Sequence, residues 1–390
     1  MIASSKKIHT FAIIGFGRRG RAHLLSFEGL TGRMCRCIAV SDPREPDAAT
    51  AKRFGAAYYR DHHKLLKDQH PDFVVVASPE IFHVPQALAA LRLGIPVYLE
   101  KAVSNTWESA IRLYREVKQH RLPLFVGYNL RRMPVSTVVE RLIRKGRIGR
   151  IQSVVGHVNT GSDWAANIFL RAFYRDARLS GDIVLSKLTH DTEWVQHILK
   201  TRAKTCTATV AREIWTATPD VPLPAEMAQL ARKHRDAPSS HDFCSASGLF
   251  ENGTAYTFVF TTTGPNYERR YSFNGTKGEI TAILHSNQSG LENGSVTLWQ
   301  NGRKPRPLAI PRVKGGHVGA DSLIYEEFYR WLKAGPDEPS EPESIVDGML
   351  IPVSALRSAR TGKVVNCSAM LTRALLSKPE NRASARTVKL

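Results

Sequence analysis

Short, unbroken apolar runs alternate with amphipathic stretches along the first third of the chain. Phe11–Ile14 (FAII), Asp72–Ala77 (DFVVVA) and Val97–Leu99 (VYL) carry almost no polar residue, which predicts central parallel strands covered on both faces. Ala57–Tyr59 and Pro123–Val126 read as shorter strands. Between them Arg21–Leu30, Asp47–Phe54, Asp61–Lys67, Val84–Leu93 and Thr106–Gln119 space their apolar residues as helices do. Strand and helix recurring at this spacing predict a doubly wound parallel sheet.

After about Tyr128 the periodicity changes. A helix over Val135–Lys145 stops at Gly146, and Ile151–Val158 alternates apolar and polar residues as a half-exposed strand does. Lys204–Val210, Phe243–Phe250, Ala255–Thr262, Arg269–Phe273, Glu279–Ile283 and Ser295–Asn301 follow the same rule, joined by turns such as Asn252-Gly253 and Asn293-Gly294. An antiparallel sheet is expected, interrupted by a proline-rich, charged excursion over Pro219–His241 and closed by helices over Ser322–Lys333 and Ser344–Arg360. The fold class is therefore α/β: a Rossmann-type domain over 1–128, then an α+β domain with a large, mainly antiparallel sheet over 129–376. A basic, flexible tail is expected over 377–390.

Composition narrows the function classes. A chain of 390 residues suits two cores. No run reaches the ~20 apolar residues of a membrane span, and MIASSKKIHT lacks the apolar centre of a signal peptide, so a cytoplasmic location is expected. Five cysteines without C-x-x-C pairs or histidines at zinc spacing argue against disulfides and a metal site. The net charge of +20 would suit an anionic partner. Its spread along the chain, with no aromatic–basic platform, argues against nucleic acid.

The chemistry begins where the first apolar strand ends. Gly15, Gly17 and Gly20 form G-x-G-x-x-G in FAIIGFGRRG. The three glycines serve a tight turn, close approach of a pyrophosphate, and close packing of the next helix. That helix opens near Arg18 and aims unpaired N–H groups at the diphosphate. A second strand ends at Asp42, 22 residues after Gly20; a carboxylate there accepts ribose hydroxyls and repels a 2′-phosphate, which favours NAD over NADP. Ligands of an open parallel sheet bind beyond the carboxyl ends of its strands. That rim gathers Gly15–Gly20, Asp42, Ser78-Pro79, His83, Glu100-Lys101 and Gly127-Tyr128-Asn129.

With these motifs the chain resembles the family of glucose–fructose oxidoreductase, inositol dehydrogenase and MocA. Further marks are Ala77 before Ser78-Pro79, Gly146-x-x-Gly149 and Asn274-Gly275-Thr276-Lys277-Gly278; the likeness spans roughly residues 8–370. The resemblance implies an NAD-dependent oxidoreductase moving hydride between a ring hydroxyl of a sugar, sugar derivative or cyclic polyol and the nicotinamide. It implies cofactor contacts from Gly15, Phe16, Gly17, Arg18, Arg19, Gly20, Asp42, Ser78, Pro79, His83, Glu100, Lys101 and Asn129, with Glu100 near the ribose and Lys101 at the reacting oxygen. The family's Glu-Lys-Pro is Glu100-Lys101-Ala102 here. Family members also place a carboxylate four residues before a catalytic His; here Ser186 precedes His190. Lys187, His190, Asp191 and Trp194 share a helix face and resemble a branch with Lys-x-x-His-Asp. His190 and Lys187 are candidates for proton handling and, with Asp191, for substrate contact. Read as plain structure, His190 is a core histidine, Lys187 and Asp191 are an intrahelical ion pair, and Trp194 is core. The branch likeness extends to Phe169–Arg175 and Gly315–Asp321, which adds Arg171 and His317 as substrate-binding candidates. Implied partners are a carbohydrate, neutral or anionic, and further copies of the chain in a dimer or tetramer through the open sheet. A glycoside-cleaving enzyme using transient oxidation by retained NAD is the competing reading on the same fold.

Overall fold

The computed structural model describes residues 8–30, 34–44, 48–171, 173–216, 218–223, 225–233, 237–285, 294–335 and 340–377. The expected tail therefore lies, from residue 378 on, outside the described residues, as does Asn293 of the second expected turn.

Strands β1 (His9–Ile14), β2 (Cys35–Ser41), β3 (Ala57–Tyr59), β4 (Phe73–Val76), β5 (Val97–Leu99) and β6 (Leu124–Val126) form one all-parallel sheet in the order β3-β2-β1-β4-β5-β6. Helices α1 (Arg18–Leu30), α2 (Ala48–Arg53), α3 (His62–Gln69), α4 (Glu80–Leu91) and α5 (Trp107–His120) connect them. Phe11–Ile14 and all of β4 are buried, because helices cover both faces and leave no side for polar residues. The strand order reverses between β1 and β4, which opens the crevice where such sheets bind ligands.

The second sheet contains β7 (Ile151–Asn159), β8 (Ala203–Ala211), β9 (Phe243–Phe250), β10 (Ala255–Thr261), β11 (Glu268–Gly275), β12 (Gly278–His285), β13 (Ser295–Gln300), β14 (Arg306–Pro307) and β15 (Val365–Asn366), in the order β14-β13-β12-β11-β7-β10-β9-β8-β15. It is antiparallel as expected except that β7 and β10 run parallel, with Val154 opposite Tyr256. The exception has a topological cause. Strands β10 and β11 are joined by a short connection yet flank β7 on its two sides, so they run opposite ways and one of them must parallel β7.

Helices α6 (Pro134–Arg144), α7 (Ser162–Arg171), α8 (Ala177–Ser180), α9 (Ile183–Leu199), α10 (Ala225–Lys233), α11 (Ala320–Ala334), α12 (Glu343–Thr361) and α13 (Cys367–Leu376) complete the elements. The Pro219–His241 excursion carries α10, a helix hidden by its prolines. Helix α9 is buried along nearly its whole length. Trp194 packs edge-on to Tyr271 at 4.9 Å and to Phe273 at 5.8 Å, the core role expected of it. The other face of the sheet leaves Val155, Leu249 and Trp299 partly exposed.

Helix α11 crosses back to the parallel sheet. Its Tyr325 and Phe328 join Phe11, Phe27, Phe73 and Tyr98 in one aromatic core, with Phe27 and Tyr325 at 4.5 Å and Phe73 and Phe328 at 5.1 Å. Residues near the end of the chain thus help close the first sheet. Among the described residues no helix is long and apolar enough to cross a membrane.

Candidate active site

Gly15 has φ +91°, and a Cβ there would lie 2.4 Å from the Ser78 nitrogen. A Cβ on Gly20 would meet the Gly15 carbonyl oxygen at 2.1 Å. These two glycines therefore let β1, α1 and the start of α4 close around one point. At Gly17 the nearest atom to a Cβ would be the tip of Arg44 at 3.4 Å, so its backbone stays open to a ligand. Phe16 is buried, and its N–H donates to Asp42 Oδ2 at 2.9 Å, which ties the turn to the end of β2. Arg18 is exposed at the first position of α1.

Asp42 is buried, and Arg44 forks onto it, Nε to Oδ1 at 2.8 Å and Nη2 to Oδ2 at 2.9 Å. Burial pushes this carboxyl up, but the Arg44 bonds and the Phe16 N–H outweigh it and hold it below its ordinary value.

The Glu100-Lys101 turn follows β5. Glu100 Oε1 accepts from Arg19 Nε at 2.6 Å and sits 2.8 Å from His23 Nε2. Burial opposes its charge, yet Arg19, His23 and Lys101 hold it well below the usual carboxylate range. Arg19 also reaches Asp321 at 3.3 Å, and Asn129 Nδ2 donates to Asp321 at 2.9 Å. His317 Nδ1 lies 2.8 Å from the same carboxylate. His83 is buried, with its ring nitrogens each 2.7 Å from a carbonyl, Ala102 O and Ser78 O. The Lys101–Ala102 peptide is cis.

Lys101 Nζ donates to the Ser186 carbonyl on α9 at 3.2 Å. Burial draws its pKa down, while Glu100 and Glu80 resist. One turn further along α9, His190 is buried with no hydrogen-bond partner for Nδ1 among the described residues. Burial, then Lys101, Arg269 and Lys187, push it well below the ordinary histidine value, so the ring is neutral. The Lys187 ammonium sits 3.5 Å above the Trp164 ring, where burial and the neighbouring cations Lys101 and Arg269 lower its pKa strongly. Lys101, Lys187 and His190 thus lie in one another's fields, short of water and pressed toward their neutral forms.

Residues 9–128 match the family described as an oxidoreductase family with an NAD-binding Rossmann fold, and residues 137–281 match the GFO/IDH/MocA C-terminal domain. The chain belongs to the Gfo/Idh/MocA oxidoreductases. Among curated relatives, it is 29% identical over 362 residues to inositol 2-dehydrogenase 2 of Saccharopolyspora erythraea, covering 90% of this chain and 93% of that protein. Levoglucosan dehydrogenase of Pseudarthrobacter phenanthrenivorans is 30% identical over 164 residues, 40% of this chain and 41% of that one. A solved levoglucosan dehydrogenase in complex with NADH and levoglucosan shares the fold, with TM-score 0.76 at 21% identity over 92% of this chain and 99% of that one.

The first sheet is accordingly an NAD-binding Rossmann unit, and its turn suits a dinucleotide on steric grounds. Gly17 leaves the room that a side chain would fill, and Asp42 stands at the end of β2 with its carboxylate held ionised.

The structure places several residues expected of a Gfo/Idh/MocA site in contacts within the fold. His83 is a clamp between the Ser78 and Glu100-Lys101-Ala102 turns, since its ring nitrogens are spent on carbonyls of the fold. Ser78 Oγ is likewise taken, donating to Gln86 at 2.6 Å. Asp191 does not pair with Lys187; it accepts from Arg269 Nε at 2.9 Å and from the Tyr271 hydroxyl, both on β11. Arg19, Asn129 and His317 converge on Asp321 of α11, so their charges and donors tie the two sheets' elements together. Arg171 ends α7, and its side chain lies outside the described residues. Sequence reasoning passed over Arg44, Asp321, Arg269 and Glu80. Arg44 alone had a local signal, two residues past the strand-end acid; the others arrive from distant segments.

Arg44 sharpens the cofactor question. A guanidinium at this place binds a 2′-phosphate, and here Asp42 occupies it. Asp42→Ala is expected to weaken NAD binding and improve NADP binding, and Asp42→Ala with Arg44→Ala to lose the NADP gain. Fluorescence titration of both nucleotides checks this; unchanged affinities would place the adenosine ribose elsewhere.

Proposed function

We propose that this protein is an NAD-dependent dehydrogenase of a sugar, sugar derivative or cyclic polyol, in which Lys101 accepts the hydroxyl proton and His190 orients the hydroxyl. When bound, NAD supplies the hydride acceptor. The observation that carries the reading is the meeting of Lys101 and His190. They come from different sheets' elements, Lys101 half-buried in the turn after β5 and His190 buried on α9, one turn past the Ser186 carbonyl that Lys101 Nζ bonds; both are pressed toward neutrality, and His190 Nδ1 has no partner among the described residues.

A neutral amine accepts a proton as the C–H bond breaks, and a neutral imidazole accepts or donates a hydrogen bond to the substrate without adding charge. Lys187, drawn toward its neutral form over the Trp164 ring, adds a further hydrogen-bonding nitrogen beside Lys101 and His190. The relatives are named as dehydrogenases of inositol and of levoglucosan, which supports the substrate class.

The test is direct. Purified protein with NAD is offered a panel of free cyclic polyols and sugars, beginning with myo-inositol and levoglucosan, and nicotinamide absorbance is followed across pH. NADH is expected from at least one of them, at a rate that rises with pH as Lys101 sheds its proton. Release of an aglycone from aryl glycosides without net NADH would instead support redox-neutral cleavage and overturn the dehydrogenase reading.

A further inference from the structure

Ser186 of α9 meets an acid from the start of α4. Ser186 Oγ donates to Glu80 Oε1 at 3.1 Å. Glu80, the first residue of α4, is 1% exposed, and the Tyr174 hydroxyl is its other hydrogen-bonding neighbour. The same Ser186 accepts at its carbonyl from Lys101 Nζ. One residue of α9 therefore joins the lysine on one side and an acid from a different segment on the other. We propose that Glu80 is the proton-holding partner of Lys101, a positioning residue that stands in for the acid Ser186 lacks. The proposal rests on the dehydrogenase reading and adds to it the origin of the free amine.

An isolated buried ammonium or carboxylate is costly, and a buried pair can relieve both costs by sharing a single proton. The groups facing Glu80 are Lys101 from the turn after β5, Ser186 and Lys187 from α9, and Tyr174 from the segment before α8; His83, on its own helix, is turned to the Ser78 and Ala102 carbonyls. Burial pushes the Glu80 carboxyl up to about 7 against the pull of Lys101 and Ser186, while burial also lowers Lys101. A net shift of one proton from Lys101 Nζ to the Glu80 carboxylate, which face each other across Ser186 and exchange protons through solvent, converts ammonium and carboxylate into amine and carboxylic acid with no change in net charge. The amine then accepts the substrate hydroxyl proton as hydride leaves carbon. When both groups hold a proton, Lys101 cannot act, so the acid limb of the rate belongs to the pair.

Glu80→Gln tests this, because it keeps shape and removes the acceptor. Without Glu80 the lysine must titrate alone, at a pH above the pair's first proton loss and below its second. Two shifts of opposite sign are expected. The acid limb of kcat/KM should move to higher pH, with about a tenfold loss below it per unit moved, while the Lys101 ammonium, followed by NMR of lysine-labelled full-length protein, should titrate at lower pH than in the wild type. Both should meet at one value, and NAD affinity should be unchanged. Adding Ser186→Asp to Glu80→Gln should return the acid limb toward its original place. Should Glu80→Gln fail to fold, Ser186→Ala, which removes a hydrogen bond that favours the ionised Glu80, should move the acid limb the same way. An acid limb and a Lys101 titration both unmoved in Glu80→Gln would overturn the proposal. If the wild type forms no NADH from any polyol or sugar, the dehydrogenase reading fails; the Lys101 titration still decides the pairing with Glu80.

Discussion

Lys101→Ala is expected to lower turnover by ~10²-fold or more while NAD affinity stays within about threefold, the scale for losing a positioned proton-transfer group. The separation follows from where the charges go. Glu100 is held by Arg19 and His23 as well as by the Lys101 backbone N–H at 3.2 Å, so truncating the side chain leaves the turn anchored. His83 keeps its bond to the Ala102 carbonyl. What disappears is one ammonium that bonds the Ser186 carbonyl. Single-turnover kinetics with saturating NAD would isolate the chemical step. An alanine variant that binds NAD poorly yet turns over at the wild-type rate would assign Lys101 to the cofactor and leave proton transfer to His190 or Lys187.

The parts of this protein that were legible in the sequence are those governed by local rules. Unbroken apolar runs such as Phe11–Ile14 read as doubly covered strands, and Gly15 and Gly20 mark a backbone that other atoms approach closely while Gly17 leaves its own open. Lys101 and His190 each sit in a motif confined to one short segment, the turn after β5 and the middle of α9, which made both legible. Contacts across long separations were not. Glu80 meets Ser186 over 106 positions and Arg269 meets Asp191 over 78, and a helical spacing says nothing of which sheet residue will face it. That is why Asp191 read as a partner for Lys187, four residues earlier, when burial against β11 left the lysine to Trp164 instead. His83 shows the same limit. A histidine at a strand-end rim suggests a ligand contact, and the sequence could not show that two carbonyls already lay within 2.7 Å of its ring.

The Asp191–Arg269 contact carries the largest expected effect on stability. Both side chains are buried, the carboxylate completely, and Arg269 also bonds Tyr267 at 3.1 Å. Burial already holds Asp191 above its ordinary value despite Arg269 and Tyr271. Arg269→Met removes the cation and leaves the acid in an apolar site, a change expected to cost about 3–5 kcal/mol at neutral pH in urea unfolding. The pH dependence fixes the mechanism. In the variant the folded-state pKa of Asp191 rises further above its unfolded value of about 3.9, so the folded protein holds the proton more tightly than the unfolded chain. The deficit should be smallest below about pH 4, grow as pH rises toward the folded-state pKa, and level off above it. Asp191→Asn together with Arg269→Met should recover most of the loss, since no buried charge is then left unpaired. A deficit of equal size at every pH would mean that Arg269 stabilises by packing on Tyr267, and that α9 is held in register by Trp194 against Tyr271 and Phe273 rather than by the ion pair.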